Sequence, residues 1–359
     1  MKNPRIEVDL AKLRENIQKL VDKMVKHGLS ITAVTKVFEA CPEMVAIYEE
    51  FSEIAYFGDS RLENLISYAD SKKKKIMIRI PMESEVDEVV RYADISFNSE
   101  LATIRKLNEA AKKQQRKHEI VLMVDLGDLR EGFFSREELY QCIEETQRLE
   151  YIQIIGLGAN LTCYGAIIPD SKNLSQLAQI QMEVQERFGL TFEMISGGNS
   201  SSLYLLDDTY DFLPKEINNL RIGEAFVLGR ETAYGTEYPE LHQDVFTLKA
   251  ELVELKQKPS FPIGKIGVDA FGYKPHYEDK GEMLRGIVAI GKQDVSLDDI
   301  QPLDSRITLL GSSSDHLILD MTEVAGNYQV GDEIAFSLSY GSVLSTFTSK
   351  YVKKDFKPN

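Results

Sequence analysis

The sequence predicts an α/β fold in which a (β/α)8 barrel of the TIM type is followed by a C-terminal antiparallel β domain. Eight short apolar runs alternate with amphipathic helical stretches through the first two thirds of the chain. Strands that alternate with helices indicate a parallel sheet, and eight such units in roughly 230 residues match the size of a closed barrel. After about residue 240, short β-rich runs broken by Gly, Pro and Asp replace the helical pattern, as in antiparallel sheets.

The first predicted element is a helix over residues 9–27, where apolar residues recur at helical spacing between Asp9 as the N-cap and Gly28 as the stop. A strand at Ser30–Lys36 and a helix from Pro42 to about residue 52 follow. The other seven strands are predicted at 53–58, 76–81, 94–98, 119–126, 152–159, 192–196 and 219–222. The later helices are predicted at 61–68, 85–92, 99–113, 136–149 and 174–188.

The remainder of the chain has the alternating pattern of half-buried strands. Its clearest runs are DVFTLKAELVELKQ, MLRGIVAIG, RITLLGS, HLILDM and EIAFSLSYG. A chain of 359 residues is long enough for about two domains. We therefore predict a barrel domain at 1–235 and a β domain at 236–359.

Composition and charge exclude several classes of function. The net charge of −15 argues against nucleic acid as a partner, because binding phosphate chains needs a concentrated basic face. No apolar stretch approaches the roughly 20 residues that span a bilayer, and the N-terminus has no signal-peptide pattern. The three cysteines, Cys41, Cys142 and Cys163, lack metal-ligand spacing and fit a reducing compartment. These features predict a cytoplasmic protein that binds neither a membrane nor a metal.

Unusual polar residues follow the predicted barrel strands. Lys36 ends the first strand, and polar segments follow strands five to eight in the order VDLGDLREGFF, GANLTCYG, SGGNSSS and LRIGEAF. Because the loops after the strands of such a barrel gather at one end and carry the active site, these segments predict its location.

Lys36 lies among apolar neighbours such as Val34, Val37 and Phe38. Such surroundings favour the neutral, nucleophilic form of an amine, which Schiff-base chemistry requires. The alternative is a lysine that extends its charged end to solvent at the end of a strand.

The loop Ser196–Ser202 supplies backbone N–H groups and hydroxyls that can bind a phosphate, with Gly223 completing the site. A simple turn is the alternative. By contrast, Gly156-Leu157-Gly158 is not a dinucleotide-binding motif, because Leu161 occupies the position of the third glycine.

Taken in order, these motifs resemble those of the alanine racemase family of pyridoxal-phosphate (PLP) enzymes, and more closely its ornithine racemase-like branch. That family has a lysine after strand one, an Asp-x-Gly-x-x-Arg-x-Gly-Phe segment, an Asn-Ser phosphate loop and an Arg-x-Gly segment. The corresponding residues here are Lys36, Asp125 to Phe133, Asn199-Ser200 and Arg221-Ile222-Gly223. The resemblance spans nearly the whole chain and implies a PLP-dependent racemase that acts as a homodimer with shared active sites.

The resemblance also implies roles for individual residues. Lys36 would carry PLP as a Schiff base and act as one catalytic base, and Arg130 would contact the cofactor phenolic oxygen and the substrate carboxylate. Asn160 takes the position of a histidine that packs on the cofactor ring. The implied cofactor-binding residues are Lys36, Asn160, Asn199, Ser200, Ser201, Arg221, Gly223 and Tyr340, of which Ser200, Gly223 and Tyr340 would bind the phosphate.

Arg221 would donate a hydrogen bond to the pyridine nitrogen. A permanently charged donor keeps that nitrogen unprotonated and makes the ring a weaker electron sink. The expected reaction is therefore interconversion of L and D amino acids through proton abstraction at Cα of an external aldimine. Decarboxylation fits less well, because related barrel decarboxylases place a carboxylate at the ring nitrogen.

The sequence departs from the family where a tyrosine of the partner subunit would supply the second base, since Val268 occupies that position. The alternatives for this base are Asp269, Tyr273, His276, Tyr277, Asp315 and His316. Asp315 aligns with an aspartate near the substrate in the family, and we take Asp269 and Asp315 as the catalytic candidates. The family's phosphate-contacting tyrosine after the lysine is also replaced, by Ala40.

These replacements favour a substrate longer than alanine. The side chains that could receive a distal ammonium, as in ornithine or lysine, are Asp128, Glu131, Asp269 and Asp315. Alternatively, these carboxylates orient Arg130 or face solvent. Two other functions stay open: a non-catalytic PLP-binding protein, which would resemble the barrel alone, and a D-amino-acid lyase. Such lyases use a metal held by C-terminal His and Cys, and no Cys follows residue 163 here.

Overall fold

A computed structural model describes residues 2–207, 211–269 and 271–357. The chain divides into two compact units, one made of Ala11–Gln243 and the other of Met1–Leu10 with Asp244–Asn359. The first strand, β1 (Arg5–Asp9), belongs to the second of these units.

Eight parallel strands form a closed barrel in the unit Ala11–Gln243. They are β2 (Ser30–Val34), β3 (Ile54–Asp59), β4 (Lys74–Met77), β5 (Ile95–Asn98), β6 (His118–Val124), β7 (Ile152–Ala159), β8 (Met194–Asn199) and β9 (Asn219–Ile222). The strands pair in chain order, and β9 closes the ring on β2 with Ile31 opposite Leu220. The predicted (β/α)8 barrel is confirmed.

The barrel helices follow local sequence signals. They are α1 (Leu10–Lys26), α2 (Pro42–Glu49), α3 (Leu62–Ser67), α4 (Val86–Tyr92), α5 (Leu101–Lys113), α6 (Arg136–Thr146), α7 (Ser171–Phe188) and α8 (Glu224–Leu228). Helix α7 shows why they form where they do. The Asp170 side chain accepts a hydrogen bond from Asn173 N at 2.6 Å, and Gly189 ends the helix with φ +67°. Among the described helices none is long and apolar enough to cross a bilayer.

Close packing of the strands leaves room for only the smallest residue at Gly156 on β7, where a β-carbon would collide with the carbonyl oxygen of Met194 on β8. Apolar side chains from five barrel strands pack together without exposure to solvent. The fully buried members of this cluster are Ile76, Ile95, Phe97, Val121, Met123, Ile155 and Met194.

The second unit is built on an eight-stranded sheet, which confirms the predicted antiparallel β domain. Its further elements are β10 (Phe246–Pro259), β11 (Glu282–Val288), β12 (Ile300–Pro302), β13 (Thr308–Ser312), β14 (Leu317–Asp320), β15 (Glu333–Leu338), α9 (Tyr340–Thr348) and β16 (Lys353–Lys357). The strand order is β12-β15-β10-β11-β14-β13, and β1 pairs with β10 and β16. All pairings are antiparallel except that of β1 with β16.

The start of the chain differs from the prediction. Residues 1–10 were expected in a barrel domain at 1–235, with Asp9 capping the first helix. Instead Asp9 is the last residue of β1, which pairs with β10 and β16 of the C-terminal sheet. Ion pairs of a buried carboxylate explain this placement, because Glu7 of β1 accepts hydrogen bonds from Lys249 and Lys357, each at 2.9 Å.

Candidate active site

Lys36 begins a short 3-10 turn, Lys36–Phe38, immediately beyond the end of β2. Its side chain is half-buried. The turn after β9 lies against the strand that leads to this lysine, because a β-carbon at Gly223 would be 3.2 Å from Cβ of Val34. Lys36 and Gly223 thus occupy neighbouring positions on the rim formed by the carboxyl ends of the barrel strands.

Backbone strain is concentrated on the same rim. Within the described ranges, six residues other than glycine have a left-handed φ. Five of them lie in loops that follow barrel strands, namely Glu39, Ala40, Leu129, Thr162 and Ala166. Non-glycine residues in this region cost of order 1–3 kcal/mol each and cluster at functional sites. The loops after β2, β6 and β7 are therefore the part of the barrel where function is expected.

Arg221 on β9 is a buried cation held by neutral acceptors. Its Nη1 donates to Ser196 Oγ at 2.6 Å, and its Nη2 donates to the carbonyl oxygen of Ala159 at 2.8 Å. The guanidinium also lies over the ring of Phe97, 5.3 Å from the centroid. Burial lowers the pKa of Arg221 to about 10, so the side chain remains charged at neutral pH.

A second line of hydrogen bonds holds the acceptor of Arg221 in place. Ser196 Oγ donates to Asn219 Oδ1 at 2.7 Å, and Asn219 Nδ2 donates to Thr32 Oγ1 at 3.1 Å. The network connects β8, β9 and β2 below Arg221. Neither Asn219 nor Thr32 was identified from the sequence, because a lone polar residue in a buried strand gives no signal of its partner.

The predicted phosphate loop comes together with the turn after β9. Ser200 Oγ accepts a hydrogen bond from Ala225 N at 3.2 Å, and Asn199 Oδ1 accepts one from Ser201 N at 2.8 Å. Gly198, with φ +113°, permits the sharp turn that precedes them. Ser200, Ser201 and the Gly223 turn therefore form one polar segment of the rim.

Asn160 lies where the loops after β7 and β8 meet Arg221. Its Oδ1 accepts from Asn199 Nδ2 at 3.2 Å and from Arg221 Nη2 at 3.3 Å. Two buried polar atoms here, Asn160 Nδ2 and Ser201 Oγ, have no hydrogen-bond partner within the part of the chain that the structure describes. Because buried polar atoms are nearly always paired, this arrangement fits a polar ligand that supplies the missing acceptors.

Arg130 is exposed in the loop after β6 and is paired with Glu131, whose Oε1 lies 2.6 Å from Nη2. The hydrogen bond to Glu131 raises the pKa of Arg130 above its ordinary value. Glu131 therefore orients Arg130, which is one of the roles that the sequence left open for it.

Asp128 has a different environment from that expected of an ammonium receptor. It is only 1% exposed, and its carboxylate accepts hydrogen bonds from the backbone of Cys163, Tyr164 and Ile167 at 3.1–3.3 Å. Asp128 thereby ties the loop after β6 to the loop after β7. It also places Cys163, whose Sγ lies 3.9 Å from Asn199 Nδ2. No pattern in the sequence placed this thiol beside the phosphate loop.

The remaining candidates lie in the second unit. Asp269 Oδ1 accepts from the backbone of Phe271 and Tyr273, each at 2.9 Å, and these bonds lower the pKa of Asp269. Asp315 is exposed between β13 and β14 and accepts from Ser314 Oγ at 2.6 Å. Tyr340 is the first residue of α9. Asp269 is thus engaged in holding a turn, whereas Asp315 faces solvent.

The chain is similar to known proteins over nearly its whole length. The family description "Alanine racemase, N-terminal domain" matches residues 8–230. Ornithine racemase of Acetoanaerobium sticklandii is 49% identical over 352 residues, with 98% of this chain and 99% of the relative covered. Lysine racemase of Thermotoga maritima is 35% identical over 358 residues, with 99% of each chain covered.

Solved structures share the fold at low sequence identity. Alanine racemase from Bartonella henselae, with covalently bound pyridoxal phosphate, has a TM-score of 0.73 at 17% identity and covers 99% of this chain and 100% of its own. Alanine racemase from Streptomyces lavendulae has a TM-score of 0.74 at 19% identity, with 100% and 98% covered.

The barrel, its polar rim and these relatives define an enzyme of the racemase class, an isomerase. The chain belongs to the alanine racemase family. The resemblance inferred from its motifs, including that to the ornithine racemase-like branch, is confirmed.

Proposed function

We propose that this protein is a PLP-dependent racemase that interconverts L- and D-ornithine, with lysine as a poorer substrate. The observation that carries the cofactor proposal is the buried polar cluster around Arg221. Within the described residues, Asn160 Nδ2 and Ser201 Oγ of this cluster have no hydrogen-bond partner. The substrate proposal rests on the relatives named ornithine racemase and lysine racemase, at 49% and 35% identity.

The cofactor would be held by the rim of the barrel. The proposed binding residues there are Lys36, Asn160, Asn199, Ser200, Ser201, Arg221 and Gly223, and Tyr340 is proposed from the resemblance to the family alone. When bound, PLP supplies an electron sink that lowers the barrier to removing the substrate Cα proton. Arg221 offers a permanent N–H donor to the pyridine nitrogen, so that this nitrogen stays unprotonated.

Lys36 and Arg130 act on the substrate itself. The Lys36 amine holds the cofactor and carries the Cα proton on its own face of the substrate. Arg130, oriented by Glu131, binds the substrate carboxylate through its planar guanidinium. Held by these two side chains, the substrate presents its Cα–H bond to Lys36 in a fixed orientation.

The opposite face requires a second proton carrier, which we assign to the C-terminal unit of a partner subunit in a homodimer. Asp315 and Asp269 are the candidates. Asp315 is favoured because its carboxylate is exposed, whereas Asp269 accepts two backbone hydrogen bonds within its own turn. We also propose a cytoplasmic location, in line with three free cysteines.

The test of this function uses protein loaded with PLP and incubated separately with L-ornithine, L-lysine and L-alanine in heavy water. We expect optical rotation to disappear while deuterium enters Cα, fastest with ornithine. Borohydride treatment followed by peptide mass spectrometry is expected to fix the cofactor on Lys36, and Lys36→Ala is expected to abolish both results.

Three outcomes would contradict the proposal. A bound chromophore without loss of rotation would support a non-catalytic PLP-binding protein. Keto acid or aldehyde products would support a lyase. Failure of borohydride to attach the cofactor to Lys36 would remove the basis of the assignment.

A further inference from the structure

A buried polar cluster of Thr35, Asp59 and Tyr68 adjoins Lys36 in the barrel. Thr35, the residue before Lys36, donates its hydroxyl hydrogen to Asp59 Oδ2 at 2.6 Å. The Tyr68 hydroxyl lies 3.1 Å from the same Thr35 oxygen and is left to donate to it. Thr35 and Asp59 are both 0% exposed. The cluster is thus shielded from water and connects the ends of β2 and β3.

The two carboxylate oxygens of Asp59 perform separate tasks. Oδ1 accepts from Arg61 N at 2.9 Å and from Asn64 Nδ2 at 3.1 Å, which organises the start of α3. Oδ2 bonds Thr35 instead. Burial raises the pKa of Asp59, so keeping a carboxylate here has a cost. Capping α3 needs only Oδ1 of Asp59. The hydrogen bond between Oδ2 and Thr35 must therefore have a separate role.

The turn that carries Lys36 is anchored at Thr35 on both sides. Thr35 N donates to the carbonyl oxygen of Gly58 at 3.0 Å, and the Thr35 carbonyl oxygen accepts from Ala40 N at 3.1 Å. Between these anchors, Glu39 and Ala40 have φ values of 52° and 50°. A strained turn persists only where its surroundings determine its conformation. The Thr35 hydroxyl is the side-chain contact that fixes this anchor to the neighbouring strand.

We infer that Asp59 is a positioning residue for Lys36 and acts through the hydroxyl of Thr35. The inference rests on the proposed function, in which the Lys36 amine joins the cofactor aldehyde. In that step Nζ bonds to the aldehyde carbon and one water molecule leaves, so no oxidant or reductant is needed. Neither Asp59 nor Thr35 has to touch the cofactor. They hold the strand end from which the amine approaches, and a displacement of about 1 Å can cost on the order of 100-fold in rate.

The test compares two changes at one position. Thr35→Val replaces the hydroxyl with a methyl group of similar size, whereas Thr35→Ser retains the hydroxyl and loses the methyl group. The first readout is the rate at which apoprotein and PLP form the yellow imine, with its position fixed by borohydride and mass spectrometry. The second is the affinity for pyridoxamine 5′-phosphate, which has the ring and phosphate but no aldehyde and so cannot bond to Lys36.

We expect Thr35→Val and Asp59→Asn to slow imine formation on the order of 10-fold or more. The affinity of both variants for pyridoxamine 5′-phosphate should stay within about twofold of the wild type. Thr35→Ser should form the imine at close to the wild-type rate. Asp94→Asn is the matched control, because Asp94 accepts a hydrogen bond from Lys75 N elsewhere in the barrel. Tyr68→Phe leaves the bond between Thr35 and Asp59 in place and is expected to change the rate little.

Normal imine formation in Thr35→Val would overturn the inference. The inference would also be overturned if Thr35→Val lost both its affinity for pyridoxamine 5′-phosphate and its cooperative unfolding transition. The cluster would then serve the fold alone. If Asp59→Asn does not fold, the comparison of Thr35→Val with Thr35→Ser tests the inference on its own. Failure of the wild type to form the imine would refute the proposed function and, with it, this inference.

Discussion

Arg221 donates from a planar group to acceptors on two strands, Ser196 on β8 and Ala159 on β7. Arg221→Lys keeps the charge but replaces the fork of donors with a single ammonium. Loss of one hydrogen bond to a charged group costs about 1.5–3 kcal/mol. We expect racemase turnover to fall on the order of 10- to 100-fold, measured by polarimetry with PLP in excess. Arg148→Lys affects only exposed ion pairs on the outer surface, so its racemase turnover should equal that of the wild type.

Cys163 offers a chemical probe of the rim because its exposed thiol lies beside Asn199. We expect iodoacetamide to modify Cys163 and to block uptake of PLP, and bound PLP to slow the modification. Burial raises the pKa of Cys142 to about 11, so Cys142 should react far more slowly. Mass spectrometry of the modified peptides measures both. If the reagent also inactivated Cys163→Ser, modification of another residue would cause the loss of activity, and the placement of the Cys163 thiol at the site would be contradicted.

At the scale of the element, the attachment of β1 to its sheet depends on the charge of Glu7. Its carboxylate is 6% exposed. Burial tends to raise the pKa of Glu7, but hydrogen bonds from Lys249, Lys357 and Arg5 prevail and lower it to about 2 from an ordinary value of 4.5. Between these values the unfolded chain binds more protons than the folded one. The stabilisation is therefore present above about pH 4.5 and is lost as the pH falls through about 2.

We expect Glu7→Gln to lower the free energy of unfolding by about 3 kcal/mol at neutral pH, because the buried Arg5 and the partly buried Lys249 each lose a carboxylate partner. The variant should also lose less stability than the wild type on acidification. Urea unfolding at several pH values measures both effects. Glu251→Gln, an exposed change on β10, is the control, with an expected change within about 0.5 kcal/mol. Equal acid sensitivity of Glu7→Gln and the wild type would contradict the assignment.

His118 at the start of β6 gives the barrel its own pH dependence. It is 0% exposed, its Nε2 lies 2.8 Å from Ser96 Oγ, and burial lowers its pKa to about 3. The unfolded chain takes up this proton near pH 6.5 and the folded chain does not, so stability declines as the pH falls below that value. We expect the difference in Tm between pH 7.5 and 5 to shrink in His118→Gln. The exposed His27→Gln should keep the wild-type difference.

The elements differ in how well the sequence predicted them. The barrel strands were predicted close to their observed positions because each is an apolar run bounded by its own helices. β1 was missed: its sequence RIEVD is short, and its partners lie on β10 and β16, more than 200 residues away. A helix signal directly after it made Asp9 resemble an N-cap. No local pattern distinguishes such a strand from a polar leader.

At the scale of the whole molecule, one group of exposed apolar side chains lies on loops of the barrel unit. Its members are Leu129, Phe134, Tyr164, Phe212 and Tyr234, each 61–79% exposed. Such a set marks an interaction surface, and a second copy of the chain is the proposed occupant. We expect sedimentation equilibrium to give a dimer and the pair Phe134→Ser with Tyr164→Ser to weaken it at least tenfold. Met182→Ser, an exposed apolar change on α7, should leave association unaltered. A wild-type monomer at micromolar concentration would contradict the proposal.

Within the site, the sequence identified residues whose roles depend on chain order and missed those whose roles depend on pairing. Lys36, Ser200 and Gly223 were placed at strand ends by the barrel pattern, and the structure puts them on the rim. The contacts of Asp59 with Thr35 and of Asn219 with Ser196 join residues more than 20 positions apart. The charge of Asp128 left two interpretations open, a contact with the substrate or a structural role, and its oxygens accept hydrogen bonds from backbone N–H groups of the next loop.

Hydrophobic periodicity and the order of the motifs were sufficient for the barrel, the β domain, the family and the lysine at the first strand end. These features are local, so adjacent residues contain all the information they require. Three-dimensional packing was needed to assign β1 to the C-terminal sheet, to connect Asp59 with the turn of Lys36 and to bury Arg221 among neutral acceptors. The hydrogen bonds and ion pairs behind these features form between strands that meet only once the chain has folded, and their energies depend on the exclusion of water at those contacts.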